Sequence, residues 1–372
     1  MDETIKNTNV QPKKKRLTKV VFYIMSLLLL STTGMCGYMT YTLYNMSNTS
    51  TPANSNESES ETQTMNNNEE ISTEVIEKPT TDNKEDANNQ GKDEILASIK
   101  ADLENGKSTL RIIRSIFPEY LVYTDSGKYV FKDINKNLLM NNLKKENFYI
   151  ETNANDIPTK VEYYENEQIV SYTGIDVSKH NGNIDWAKVS NSGIDFAILR
   201  AVVRGYGTEG KLSPDESFDK NAKAALENNI TVGAYVFSEA ITVEEALEEA
   251  ELVLSLVKPY DIKGPIVIDI EDIENDTGRN EALSPAELTD IVLAFCNKIK
   301  EEGYTPMIYC NMKGFLGMLE FERLEGIEKW YAYYGDDLYF PYDVSIWQYS
   351  AYGTVDGIKG NVDLNISFKE YK

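Results

Sequence analysis

Hydrophobic and polar positions alternate regularly along the second half of the chain. Eight short apolar runs typical of strands lie near residues 174–177, 195–202, 231–237, 265–270, 304–310, 329–334, 344–349 and 362–366. Helical patterns separate the earlier runs and become shorter after residue 310. Repeated strand–helix units predict an α/β fold with a parallel sheet or barrel. Eight strands in about 200 residues predict a short TIM-like barrel, residues 173–372, whose last helices are reduced.

Three segments carry the signals that begin helices. Residues 213–216 and 284–287 each read Ser-Pro-X-Glu, with a capping Ser, Pro in the first turn and Glu three residues on. Thr242 precedes Glu245 at the same spacing. We therefore expect a helix to begin at each of these three places.

The chain before the barrel has a different pattern. Residues 93–172 predict a small α+β region, with a helix broken at Asn105-Gly106 and hairpins near residues 120–131 and 161–172. Residues 45–92 are rich in Asn, Ser, Thr and Glu and nearly lack large apolar residues. Because such a segment cannot bury enough surface to offset its ordering entropy, it predicts a disordered linker.

A basic tail and an apolar segment open the chain. Residues 1–19 are polar and end in a cluster of Lys and Arg, whereas residues 20–44 carry no charge. The uncharged span is long enough for a transmembrane helix, which needs about 20 residues. The basic cluster predicts a cytoplasmic N-terminus and an extracytoplasmic remainder. The alternative is a cleaved signal peptide and a secreted protein, although no clean cleavage site follows the apolar stretch.

The charge of the chain limits its partners. Asp and Glu number 60 against 37 Lys and Arg, which gives a formal net charge of −23. A nucleic-acid binder needs a basic face, so we expect no nucleic-acid partner. The same charge opposes electrostatic capture of an anionic wall polymer. Affinity for such a polymer then requires a shaped groove or a tether that holds the protein beside it.

Histidine and cysteine are scarce. The one histidine, His180, disfavours zinc sites and phosphoryl relays, and we expect it in a solvated loop. Cys296 and Cys310 lie in apolar runs and are predicted to be buried free thiols. We expect no metal and no organic cofactor, so acid–base chemistry falls to Asp and Glu.

A pair of carboxylates ends one of the predicted strands. In Pro265-Ile-Val-Ile-Asp-Ile-Glu271, Val267, Asp269 and Glu271 share one face. The ends of barrel strands form the active face of such folds, and paired acids there suit glycoside hydrolysis. A solvated strand end leading into an acidic loop explains the isolated pattern equally well.

Two further acids strengthen the catalytic interpretation. Asp176 ends the first strand of the predicted barrel, and Asp363 lies in the last. Either residue alone is typical of a cap or a turn. First and last strands are neighbours in a closed barrel, however, so both acids are expected to face Asp269 and Glu271.

Four sequence blocks resemble the glycoside hydrolase family 25 lysozymes of the Chalaropsis type. They are Gly174-Ile-Asp-Val-Ser-Lys-His-Asn-Gly182 with Ile184-Asp-Trp186, Val267-Ile-Asp-Ile-Glu271, Trp347-Gln-Tyr-Ser350 and Gly357-Ile-Lys-Gly-Asn-Val-Asp363. They occur in family order over residues 173–368. The resemblance implies a barrel of five βα units followed by three strands. It also implies cleavage of the β-1,4 bond from N-acetylmuramic acid to N-acetylglucosamine in peptidoglycan.

The resemblance also implies roles for individual residues. Glu271 corresponds to the general acid, and Asp269 to a nucleophile or a support for the acetamido group of the substrate. Asp176 and Asp363 complete the floor of the site. The substrate-binding candidates are Tyr235, Trp347, Tyr349, Tyr309 and Arg200. Aromatic residues in strands are also common in cores, which is the plain alternative for the four rings.

Two functions from different classes follow from these patterns. The first is a membrane-tethered muramidase whose partner is the glycan strand of peptidoglycan, used for local wall remodelling or lysis. The second is a catalytically inactive glycan-binding anchor or scaffold, against which the retention of all four acids speaks. A metal-dependent deacetylase or amidase is disfavoured by the single histidine. The sequence does not determine the oligomeric state.

Overall fold

The computed structural model describes residues 81–273 and 278–372, which begin with the predicted α+β region. Its elements are α1 (Thr81–Glu104), α2 (Thr109–Ile116), β1 (Tyr120–Asp125), β2 (Lys128–Asp133), β3 (Phe148–Thr152), β4 (Pro158–Glu165) and β5 (Gln168–Ile169). The break at Asn105-Gly106 is confirmed, and β1–β2 and β4–β5 are the predicted hairpins. The second hairpin ends at Ile169, before Tyr172. Residues 81–92, predicted to be linker, belong instead to α1.

Within the described residues, eight strands close into a barrel. They are β6 (Tyr172–Val177), β7 (Phe196–Arg204), β9 (Thr231–Phe237), β10 (Ile266–Asp269), β11 (Pro306–Asn311), β12 (Glu328–Ala332), β13 (Ile346–Gly353) and β14 (Val362–Ser367). The short β8 (Leu212–Pro214) pairs with β7 outside this ring. All eight predicted strand positions are therefore confirmed. The helix expected from Ser213 is wrong, because that segment forms β8 and the helix begins later, at Phe218.

Helices cover only part of the barrel. They are α3 (Trp186–Asn191), α4 (Phe218–Glu227), α5 (Val243–Val257) and α6 (Pro285–Glu301), and short helical turns follow β11 at Gly314–Met318 and Phe321–Leu324. Thr242 and Ser284 cap α5 and α6 as predicted, and Glu287 completes a capping box with Ser284. From β12 onward the described chain contains no helix. This agrees with the expected reduction of the last helices.

The last strand runs opposite to the direction it would have in a purely parallel barrel. Strands β6, β7, β9, β10, β11, β12 and β13 pair in parallel, whereas β14 runs antiparallel to both β13 and β6. The first residues of β14 therefore lie at the rim where the parallel strands end. This places Asp363 directly opposite Asp176.

The α+β region covers the face of the barrel that has no helices. Phe148 of β3 packs edge-on against Trp347 of β13 and Phe368, with ring centroids 6.0 and 5.9 Å apart. Tyr163 of β4 also contacts Phe368. The described residues of the α+β region and the barrel form one compact unit and share a core.

The remaining predictions for the N-terminus concern residues outside the described part of the chain. They are the basic tail 1–19, the transmembrane segment 20–44 and the linker up to residue 80. Among residues 81–273 and 278–372, no helix is both long enough and apolar enough to cross a membrane.

Candidate active site

Four carboxyl groups meet in one cleft at the rim of the barrel. Asp176 lies near the end of β6, Asp269 ends β10, Glu271 follows two residues later, and Asp363 is the second residue of β14. The cleft has a volume of about 200 Å³. Its walls are formed by Asp176, Tyr235, Asp269, Glu271, Tyr309, Trp330, Tyr334, Gln348 and Asp363. The structure therefore brings together all four acids that the sequence predicted.

The alternation of β10 explains how the acids reach the cleft. Ile266 and Ile268 face outward into the core beneath the helices, whereas Val267 lies in a second apolar cluster with Trp330. Asp269 continues the face of Val267 and is only 5% exposed. The predicted sharing of one face by Val267, Asp269 and Glu271 agrees with this arrangement.

Asp176 is held by two amide groups and is 7% exposed. Gln348 Nε2 and Asn365 Nδ2 each donate a hydrogen bond of 2.8 Å to its Oδ2. Asn365 is oriented in turn by Trp330, whose Nε1 donates to Asn365 Oδ1 at 2.8 Å. Because each partner is itself buried, this network fixes the position of the carboxyl group.

Two tyrosines extend the same network to the opening of the cleft. The hydroxyl groups of Tyr309 and Tyr334 both donate to Gln348 Oε1 at 2.8 Å. Gln348 thus connects both phenols to Asp176 and has both ends of its amide occupied. A change at any one of these groups is expected to move the others.

Burial and mutual repulsion raise the proton affinity of the acids. The pKa of Asp176 is held well above its ordinary value by burial and by the nearby Asp363 charge. The pKa of Asp269 is raised well above its ordinary value by burial and by the charge of Glu271. Burial raises the pKa of Asp363 to about 6. Carboxyl groups this close do not all ionise together, so the cleft can hold a protonated acid beside a charged one.

Asp269 has an oxygen available for new interactions. Its buried Oδ1 has no hydrogen-bond partner within the described residues. The backbone carbonyl oxygen of Asp269 accepts a hydrogen bond from the backbone N–H of Ser238, which fixes the end of the strand. The side-chain carboxyl group takes no part in that contact. Buried polar atoms are normally satisfied, so this oxygen is suited to meet a group supplied by a ligand.

The sequence comparisons agree with this geometry. The family model described as Glycosyl hydrolases family 25 matches residues 175–358. Uncharacterized protein YegX of Escherichia coli (strain K12) is 32% identical over 218 residues, which cover 53% of this chain and 70% of that protein. The chain belongs to glycosyl hydrolase family 25.

Two further proteins similar to this family 25 chain are a lysozyme and an autolysin. Lysozyme M1 of Streptomyces globisporus is 28% identical over 207 residues, covering 52% of this chain and 66% of that protein. The modular autolysin LytC of Streptococcus pneumoniae, solved with a synthetic peptidoglycan ligand, is 22% identical with a TM-score of 0.49. That alignment covers 66% of this chain and 56% of LytC, so the present chain spans little more than half of LytC.

Three of the predicted substrate-binding residues lie at or beside the family 25 cleft. Tyr235 and Tyr309 line it, and each ring meets Trp330 edge-on. Arg200 of β7 pairs with Tyr235 of β9, and its Nε donates to Asp215 Oδ2 at 2.8 Å. Its positive charge lowers the pKa of Asp269 in opposition to burial. His180 is exposed in the turn after β6, as predicted.

The prediction that Trp347 and Tyr349 line the sugar groove is wrong. Both side chains point away from the cleft into the core shared with the α+β region, and they are 0% and 1% exposed. Trp347 Nε1 donates to the backbone carbonyl of Tyr333 at 2.7 Å. The two residues do share a face of β13, but it is the outer face.

Three residues of the cleft were missed by the sequence analysis, namely Trp330, Tyr334 and Gln348. Gln348 lies between Trp347 and Tyr349 and therefore faces inward. A polar residue flanked by two aromatic residues in an otherwise apolar strand was a usable signal. Trp330 and Ala332 are two residues apart and both lie on the inner face of β12. This spacing was the signal from which Trp330 could have been found.

The α+β region also holds the two loops that flank the cleft. On one side, Lys313 Nζ lies 3.0 Å from Asp125 of β1 and 2.7 Å from Asp272, the residue after Glu271. This ammonium group therefore connects the first hairpin to the segment that carries Glu271. Lys313 and both of its carboxylate partners are partly exposed to water, so the two ion pairs contribute little stability. Their effect is to hold the first hairpin and the segment that carries Glu271 in position.

On the other side, the loop that carries Tyr334 is held by basic side chains. Arg111 Nη1 donates to Asp336 Oδ2 at 2.7 Å, and Lys145 Nζ lies 3.1 Å from Asp337. Arg114 Nη1 donates to the hydroxyl group of Tyr333 at 2.8 Å. Because Tyr334 lies within this loop, these contacts reach the network around Asp176.

A metal site is not apparent in this part of the molecule. In residues 81–273 and 278–372, no group of three or more His, Cys, Asp or Glu side chains is arranged to hold a metal ion. Cys296 and Cys310 are free and buried, as predicted.

Proposed function

We propose that this chain is a peptidoglycan hydrolase that cleaves the β-1,4 bond from N-acetylmuramic acid to N-acetylglucosamine. The observation that carries the proposal is the meeting of four carboxyl groups in one cleft of a family 25 barrel. Lysozyme M1 among the relatives supports the same activity. The proposed reaction uses side-chain carboxyl groups alone and requires neither a metal nor an organic cofactor.

In this proposal Glu271 is the general acid that protonates the leaving glycosidic oxygen. Asp269 either attacks the anomeric carbon or supports the acetamido group of the substrate as that group attacks. Its Oδ1, which has no hydrogen-bond partner within the described residues, is suited to accept a hydrogen bond from the N–H of an acetamido group. A glycosyl group trapped covalently on Asp269 by a slow fluorosugar substrate would establish direct attack.

Asp176 and Asp363 form the floor of the proposed site, and Asp363, whose pKa is raised to about 6, is still ionised at neutral pH and stabilises positive charge that develops at the anomeric centre. The rings of Tyr235, Tyr309 and Tyr334 provide apolar faces for sugar rings along the walls. The amide network around Asp176 keeps these groups in place without a substrate. Such preorganisation favours the transition state over the ground state.

We also propose that residues 20–44 anchor the enzyme in the membrane, with the barrel outside the cell. The uncharged segment behind a basic cluster supports this topology. A tethered enzyme would cut wall only near its own membrane. Fractionation of cells tests the proposal, since full-length protein in the membrane pellet supports anchoring and shortened protein in the medium supports a cleaved signal.

The activity is tested with the full-length protein, because the α+β region covers Trp347 and Tyr349 of the barrel. Peptidoglycan is digested, the new ends are reduced with borohydride, and the reduced sugar is identified by mass spectrometry. We expect reduced N-acetylmuramic acid, and none with Glu271→Gln. Reduced N-acetylglucosamine would overturn the bond assignment. Folded, wall-bound protein that creates no ends would favour the inactive scaffold.

A further inference from the structure

A second depression lies beside the cleft, between the α+β region and the barrel. It consists of two adjoining cavities of about 380 and 340 Å³, both bordered by Lys145, Asp336 and Asp337. The remaining lining residues that carry charge or an aromatic ring include Lys107, Arg111, Arg114, Tyr333, Tyr339 and Phe148. We call this depression the basic groove.

The basic groove is positively charged in a strongly acidic protein. Its lining has four cations, Lys107, Arg111, Arg114 and Lys145, and two carboxylates. Asp102 lies 3.0 Å from Lys107, so the net charge with this partner included is +1. The whole chain has a net charge of −23. An anionic ligand is therefore repelled by most of the protein surface and attracted here.

The cations are available to a ligand. The Lys145 side chain is 81% exposed and the Arg111 side chain 41%, and their partners Asp337 and Asp336 are also in contact with water. The Lys145–Asp337 pair is a single exposed contact that contributes little stability, so a ligand carboxylate can compete for it, whereas both Nη atoms of Arg111 already donate to Asp336. Arg114 makes no ion pair among the described residues. Its guanidinium lies 3.9 Å from the ring centre of Tyr339 and is thereby held in place.

A single loop separates the basic groove from the cleft. Tyr334 lines the cleft, whereas its neighbours Tyr333 and Asp336 line the groove. A glycan in the cleft would therefore have its side branches within reach of the groove. Peptidoglycan carries such branches, because each N-acetylmuramic acid can bear a short peptide with free carboxylate groups.

We propose that the basic groove binds the carboxylates of the peptide branches while the glycan lies in the cleft. The inference rests on the proposed function and adds a substrate feature to it. Guanidinium groups pair with carboxylates through two parallel hydrogen bonds, which suits Arg114, whereas Arg111 already pairs in this way with Asp336. Lys107 and Lys145 add charge at the edges. The enzyme is therefore expected to prefer strands that carry peptides over bare strands.

The test compares two substrates and two charge-matched variants of the full-length protein. The substrates are peptidoglycan glycan strands with their peptides and the same strands after removal of the peptides by an amidase. The groove variant is K107E, because Lys107 pairs with Asp102 and not with the loop that carries Tyr334. Its control is K132E, which makes the same charge change at an exposed position outside the groove. Cleavage is followed by the appearance of new reducing ends at low and high salt.

We expect the groove variant to lose about tenfold in kcat/KM on peptide-bearing strands at low salt, with a much smaller loss on bare strands. The loss should shrink at high salt, where charges are screened, and the control should match the wild type. Equal losses on both substrates, or none, would overturn the proposal. Failure of the wild type to cut either substrate would instead refute the proposed function.

Discussion

Replacement of Asp363 by Asn should stabilise the fold while impairing the site. Asp363 lies opposite Asp176 at the start of β14, and burial raises its pKa from 3.8 to about 6. The folded protein therefore binds this proton more tightly than the unfolded chain does. Stability is lost as the pH rises from about 4 through about 6, because the carboxyl group must then ionise in a site that disfavours its charge.

The size of the effect follows from this difference in pKa. A shift of about two units, from 3.8 to about 6, corresponds to about 3 kcal/mol at about 1.4 kcal/mol per unit. Because one side of Asp363 opens to water, we reduce this to about 2 kcal/mol for screening. Asn removes the ionisable group, so Asp363→Asn should be about 2 kcal/mol more stable than the wild type at pH 7.5 and less than about 1 kcal/mol more stable at pH 4.5.

Urea unfolding followed by circular dichroism at both pH values measures this difference. Asp133→Asn, which removes one carboxyl group at the exposed end of β2, is the control. Hydrolysis of peptidoglycan by Asp363→Asn should fall at the same time. A variant that is no more stable than the wild type at pH 7.5, or equally stabilised at both pH values, would refute the reasoning.

Two further predictions concern contacts outside the cleft. Lys313→Met removes the bridge between Asp125 and Asp272, so kcat on peptidoglycan should fall about five- to tenfold through misplacement of Glu271, with KM little changed. A change confined to KM would mean that the bridge serves binding instead. Trp347→Phe loses a hydrogen bond and packing in the shared core, and should destabilise the protein by about 1–2 kcal/mol. Its KM should match the wild type, and a raised KM without lost stability would place Trp347 back in the sugar groove.

Properties that depend on local alternation were visible in the sequence. The eight strand positions, the inward face of β10 and the convergence of Asp176 and Asp363 follow from the two-residue period of a strand and from closure of the barrel. The caps at Thr242 and Ser284 are equally local, since each depends on residues within one helical turn. The segment at Ser213 shows the limit of such signals, because pairing with β7 outweighed its helix-start pattern.

The tertiary structure decided which face of β13 belongs to the site. Alternation groups Trp347 with Tyr349 and separates them from Gln348, but it does not tell which group points inward. Both faces of β13 are buried, the inner by the barrel and the outer by the α+β region that replaces the missing helices. A strand buried on both sides loses the contrast between polar and apolar faces that normally identifies the interior. Only the packing of residues 93–172 against the barrel determines which face of β13 points into the cleft. The same packing forms the basic groove.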